Sequence, residues 1–135
     1  MTNFSLKSAL LALSFLFVAF MANAQCPPGN VILDTQAKVN NFLTQYPNCT
    51  EIAGNLQIGI NVGTSDITDI TPLVNLTRVA NRLNIWHNSI LPSLNGLHNI
   101  TNVGSMDILF NSSLTNLDGL SSLSSSAGIV DIRVN

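Results

Sequence analysis

Two histidines, seven carboxylates, two cysteines and many serines are the groups in this 135-residue chain with reactive or metal-binding chemistry. Nucleophilic catalysis needs a serine or cysteine, a histidine and a carboxylate to converge. His87 and His98 fall on different faces of the repeat described below, and Ser121, Ser122, Ser124, Ser125 and Ser126 read as turn residues. Asp66 and Asp69 are spaced to coordinate calcium or to act as acid and base, but they fit the capping of a turn as well, and the turn is the expected role. Cys26 and Cys49 lack the additional cysteine or histidine that a zinc site requires nearby. The expectation is therefore no enzyme, no metal and no cofactor. The residues singled out for binding are Asn84, Trp86, His87, Asp107, Leu109 and Phe110.

A repeat positions those six. Leu76, Val79, Leu83, Ile85, Asn88, Leu91, Leu94 and Leu97 are answered by Ile100, Val103, Met106, Ile108, Asn111, Leu114, Leu117 and Leu120. The offset is 24 at Leu76/Ile100 and 23 from Leu83/Met106 onward, so one residue is missing between Val103 and Met106. Four copies of an L-x-I-x-x-N core stand in register, LQIGIN, LNIWHN, MDILFN and VDIRVN. Self-similarity at this period predicts a solenoid of stacked coils. Within each core the two apolar residues lie two apart and face one side, as in a short strand. The asparagine three places later is expected to close the corner and stack on its equivalents, giving a ladder of Asn61, Asn88, Asn111 and Asn135. Leu91, Leu94, Leu97 and Ile100 recur every third residue, but Pro92 and Gly96 argue against a helix and for turns and short extended pieces.

If Leu83 and Ile85 face inward, Asn84 and Trp86 face outward. One outward column is then polar (Gln57, Asn84, Asp107, Asp131), and the next sets Trp86 beside Leu109, with His87 and Phe110 at the corner. An exposed aromatic and apolar pair on a flat sheet suits a sugar or a protein partner.

Residues 1–24 read as a secretory signal peptide: Lys7 gives the positive start, Ala9 to Phe20 an apolar run too short to span a bilayer, and Ala22-Asn23-Ala24 the small residues of a cleavage site. Gln25 stands directly before Cys26 where lipoprotein processing needs a small residue, so a lipid anchor is not expected. Removal leaves 111 residues, with four basic residues against seven acidic ones and no basic cluster. That excludes a nucleic-acid groove, and no membrane span is expected in the mature chain. Residues 25–50 form the expected N-terminal cap: a strand at Val31 to Leu33, an N-cap at Asp34 or Thr35, and a helix placing Val39, Phe42, Leu43 and Tyr46 on one face until Pro47 stops it. The two cysteines flank this cap, and an oxidising compartment favours their pairing. Residues 51–135 carry the four coils. The last is expected to be incomplete at the C-terminus, leaving an open apolar edge through which the protein self-associates.

The stretch Asn48-Cys49-Thr50-Glu51-Ile52-Ala53-Gly54-Asn55-Leu56-Gln57-Ile58, preceded by Cys26 and a helix, resembles the start of the receptor L domain of the insulin and epidermal growth factor receptors. It is similar, too, to secreted bacterial proteins with L-domain-like or leucine-rich arrays. The resemblance implies an all-β solenoid, a right-handed β-helix used for binding. Ile67-Thr68-Asp69-Ile70-Thr71-Pro72-Leu73-Val74-Asn75-Leu76 resembles instead the loop of internalin-type leucine-rich repeats, which implies an open horseshoe. Cysteine-rich, transmembrane and kinase regions are missing from the pattern, so receptor signalling is not implied. The functional expectation is a secreted or cell-surface module that recognises an unidentified protein or carbohydrate through its sheet face; the alternative is an adhesive or structural repeat acting as a spacer.

Overall fold

A computed structural model describes residues 25–133 and residue 135, so the signal peptide expected at residues 1–24 lies outside the described residues. Strand β1 (Val31–Leu33) buries Val31 and Leu33 and exposes Ile32, the alternation of a strand with one covered face. Helix α1 (Gln36–Gln45) begins at Thr35, whose hydroxyl accepts from the Lys38 N–H at 3.3 Å. Val39 and Phe42 lie on its buried face, and Tyr46, at the C-cap, packs beside Phe42 with ring centroids 5.5 Å apart. Cys26 and Cys49 are joined by a disulfide that clasps β1 and α1 between them. Closing this loop stabilises the fold by about 3 kcal/mol in the chain-entropy treatment.

The remaining strands are β2 (Glu51–Ile52), β3 (Leu56–Gly59), β4 (Arg78–Trp86), β5 (Asn102–Leu109), β6 (Ser125–Ser126) and β7 (Val130–Arg133). All seven belong to one parallel sheet. Its path is β1-β3-β4-β5-β6, with β2 also paired to β4 and β7 to β5. The long strands β4 and β5 thus carry short partners on their first halves (β2, β6) and others on their second halves (β3, β7). Between those halves the register shifts: Val79 pairs with Val103, but Arg82 pairs with Ser105. The extra residue sits in β4 as a bulge, the structural form of the one-residue change of period in the sequence. Gly104 stands opposite, and a Cβ there would lie 2.4 Å from the Asn81 carbonyl oxygen, so the bulged strand can approach only a glycine.

The segments that return from one row to the next contain no strand. Ile67, Ile70, Leu73 and Leu76, and in the next row Leu91, Leu94, Leu97 and Ile100, are buried at every third position. Their amides bond three residues back: Leu73 N–H to Ile70 O at 3.0 Å, Leu76 to Leu73 at 3.0 Å, Leu97 to Leu94 at 3.1 Å and Ile100 to Leu97 at 2.9 Å. Successive 3-10-type turns bring residues i and i+3 to the same side, which is why a three-residue leucine period fills the core without a helix. Short 3-10 turns at Thr71–Leu73 and Asp118–Leu120 are part of this pattern, and α1 packs against the first of them.

The expected fold class is therefore corrected. An all-β solenoid, whether a right-handed β-helix or a leucine-rich horseshoe, is not what the chain forms. It forms one parallel seven-stranded sheet with a helix and turn-built connections, an α/β-like arrangement. The physical reason lies in the connections: closing a β-helix takes further strand faces, and here the backbone groups of the return segments are satisfied locally by turns. Asp69 has the turn role, whereas Asp66 receives the first amide of α1 instead. Asp66 Oδ1 accepts from the Gln36 N–H at 2.9 Å, and Asp69 accepts from the Thr71 N–H and hydroxyl at 2.8 and 2.9 Å. Among the described residues no group of three or more His, Cys, Asp or Glu is placed to hold a metal ion.

Candidate recognition surface on the outer face of the sheet

Strand register decides which side chains share the outer face. Ile32, Gln57, Asn84, Asp107 and Asp131 pair in sequence across β1, β3, β4, β5 and β7 and make one column. Gly59, Trp86, Leu109 and Arg133 make the next. Of the six residues chosen from sequence, Asn84 and Asp107 therefore adjoin in the first column and Trp86 and Leu109 in the second. A cleft of about 440 Å³ opens elsewhere, between Cys26–Pro28 and Thr50–Ala53, and brings none of the six together.

Charge on this face is internally paired. Arg82, one strand position before Leu83, reaches across to β5: its Nη1 lies 3.3 Å from Asp107 Oδ2 and its Nε donates to the Ser105 hydroxyl at 3.2 Å. Arg133 bonds Asp131 through both Nε, at 2.7 Å, and Nη2. That hydrogen bond, followed by the Asp131 charge, raises the Arg133 pKa above its ordinary value. Gln57 turns its amide back on the backbone, donating to Gly59 O at 2.9 Å. Two neighbouring groups have no such partner among the described residues: Asn84, 8% exposed, has an unbonded Oδ1, and the half-buried Trp86 has an unbonded Nε1. Asn84 is followed two residues later by Trp86, so the two residues lie on the same side of β4, their Cα atoms about 7 Å apart along the strand.

His87 and Phe110 form the corner beyond these columns. Both are left-handed, with φ of 55° and 60°, and their rings stack with centroids 4.7 Å apart and planes 22° from parallel. A non-glycine residue held there costs on the order of 1–2 kcal/mol. The asparagines that follow offset this strain. Asn111 Oδ1 accepts from Asn88 N–H at 3.1 Å and from Asn88 Nδ2 at 3.0 Å, while Asn135 Oδ1 accepts from Asn111 N–H at 3.1 Å and from Asn111 Nδ2 at 3.0 Å. Each amide also donates inward to a strand carbonyl: Asn88 to Ile58, Asn111 to Ile85 and Asn135 to Ile108.

Asn61 does not belong to this ladder. It is exposed, and Ser65 takes the expected place, its hydroxyl donating to Asn88 Oδ1 at 2.6 Å. In the first row the positive-φ turn comes one residue early, at Gly59 (φ 100°), and the chain loops outward through residues 60–64 before Ser65 N–H bonds His87 O at 2.9 Å. Arg82 and Ser65 were the residues that the sequence pattern did not single out. The alternation that exposes Asn84 equally exposes Arg82, so a signal for Arg82 was present; Ser65 is hidden by the lengthened loop.

Comparison of the chain with protein-family models, with curated proteins and with solved structures gave no match.

Proposed function

We propose that this protein is a non-catalytic recognition module, secreted or held at the cell surface, that binds a protein or a glycan through the outer face of its parallel sheet. The observation that carries the reading is the pair of unbonded polar atoms, Asn84 Oδ1 and Trp86 Nε1, on a face whose charged side chains are otherwise matched. Native proteins leave few enclosed polar groups unpaired, and a ligand is a natural source of the missing partners. The Cys26–Cys49 disulfide fits an oxidising compartment, and no helix among the described residues is long and apolar enough to cross a membrane. The resemblance of residues 48–58 to receptor L domains adds a precedent for binding.

The experiment is adhesion of the protein to cells or immobilised extracellular material, compared with Trp86→Ala and Leu109→Ala. Recognition through this face loses adhesion in both variants. A repeat serving only as a spacer is indifferent to them, and unchanged adhesion rejects the reading. A second contact is favoured by β7 and the residue before it, where Ile129, Val130 and Ile132 are 75%, 46% and 42% exposed. Residues 25–135 produced by themselves present this strand as an apolar edge, and we propose that they self-associate through it.

A further inference from the structure

We infer that the ligand of the outer face is a neutral saccharide, bound by Asn84 and Trp86 with the indole turned outward to receive a sugar ring. The inference rests on the recognition reading above and names its ligand class. Three features of the face carry it.

The first is the sense of the unmet groups. Asn84 Oδ1 can only accept and Trp86 Nε1 can only donate. A sugar hydroxyl does both, and adjacent hydroxyls on one ring offer donor and acceptor within the span of two strand residues. The second is charge. Asp107 and Asp131, the carboxylates of the polar column, are each engaged by an arginine, Arg82 and Arg133. A strongly anionic or cationic ligand would have to break those pairs, whereas a neutral one adds bonds to the groups that remain. The third is the make-up of the face. A protein interface is driven by a desolvated apolar centre, but here the centre is a column of amides and carboxylates running from Gln57 to Asp131. Beside it stand one indole and Leu109, which suits the alternating C–H and O–H faces of a pyranose ring.

Access requires a movement, and that movement supplies the readout. Both unbonded atoms are enclosed in the free protein. The indole breaks no Nε1 hydrogen bond when it turns. Trp86 is the sole tryptophan of the sequence, so its emission reports on this site alone.

The test is fluorescence titration of the protein, expressed as the 135-residue sequence in an oxidising compartment, with neutral oligosaccharides of glucose, galactose, mannose and N-acetylglucosamine up to about 20 mM. A sulfated and a uronic-acid series run in parallel. The expected result is a saturable change in emission with at least one neutral series, weakened at least tenfold in Asn84→Ala. That variant loses no hydrogen bond of Oδ1 and should fold as the parent does, which its unfolding midpoint verifies. Response to the charged series alone overturns the inference, as does a neutral-sugar response that Asn84→Ala leaves intact. If no saccharide moves the emission while adhesion still depends on Trp86, the saccharide inference is wrong and the recognition reading survives. If adhesion is also indifferent to Trp86, both fall.

Discussion

Replacing Asn111 with alanine tests the corner ladder at its most connected point. The side chain is fully buried, and its Oδ1 is, among the described residues, the only partner of the Asn88 backbone N–H, at 3.1 Å. Its Nδ2 donates to Ile85 O at 2.9 Å, to Leu109 O at 3.1 Å and to Asn135 Oδ1. Alanine therefore strands one buried N–H outright, removes an acceptor from Asn88 Nδ2 and leaves two strand carbonyls short of a donor. One orphaned buried group costs about 1–3 kcal/mol, and the weakened neighbours bring the expected loss to about 2–4 kcal/mol. With a urea slope of about 2 kcal/mol/M, the midpoint falls by about 1–2 M. The control is Asn61→Ala. It occupies the same place in the sequence repeat, but the exposed Asn61 is outside the ladder, so its expected cost is within about 0.5 kcal/mol. The assay is equilibrium urea unfolding, followed by circular dichroism with the disulfide kept oxidised. Equal losses in the two variants, or an unchanged midpoint in Asn111→Ala, would refute the assignment of the ladder to Ser65, Asn88, Asn111 and Asn135.

Two further outcomes follow from particular contacts. Gly59 and Gly63 both have positive φ, 100° and 95°, but a Cβ at Gly59 would lie 1.9 Å from Trp86 O while one at Gly63 meets nothing closer than Ile60 Cδ1 at 3.6 Å. Gly63→Ala should cost only the left-handed backbone penalty of about 1 kcal/mol, and Gly59→Ala clearly more; thermal unfolding showing the two alike would discredit the geometry of the first corner. Residues 25–135 produced alone should sediment as oligomers, and Val130→Lys, which charges the exposed edge strand β7, should shift them toward monomer. A monodisperse parent protein would remove the basis for that contact.

Much of the local structure was legible in residue order, because alternation and period are written directly in side-chain type. The period-two pattern of Leu83, Ile85, Met106 and Ile108 marks which strand residues point inward. The drop in offset from 24 to 23 marks the bulge between Val79 and Arg82. The spacing of Val39 and Phe42 marks the covered side of the helix, and the two cysteines mark its clasp. The same alternation put Asn84 beside Asp107 and Trp86 beside Leu109.

Three things were decided only by tertiary structure. A three-residue leucine period is compatible with strands or with turns, and the choice depends on where the backbone finds partners; here it finds them three residues back, so one sheet with a helix forms and the all-β expectation fails. An asparagine in register is compatible with a ladder place, but the early turn at Gly59 carries Asn61 outward and delivers Ser65 in its stead. Whether an outward polar side chain is satisfied depends on neighbours from other rows. Arg82 and Arg133 reach Asp107 and Asp131 and engage both carboxylates, whereas none of the described residues reaches Asn84 Oδ1 or Trp86 Nε1. The sequence alone determined the period, the inward faces and the residues on the outer columns, since each follows from local geometry. Which of those residues lack a partner, and so could meet a ligand, was settled only by packing between rows distant in the chain.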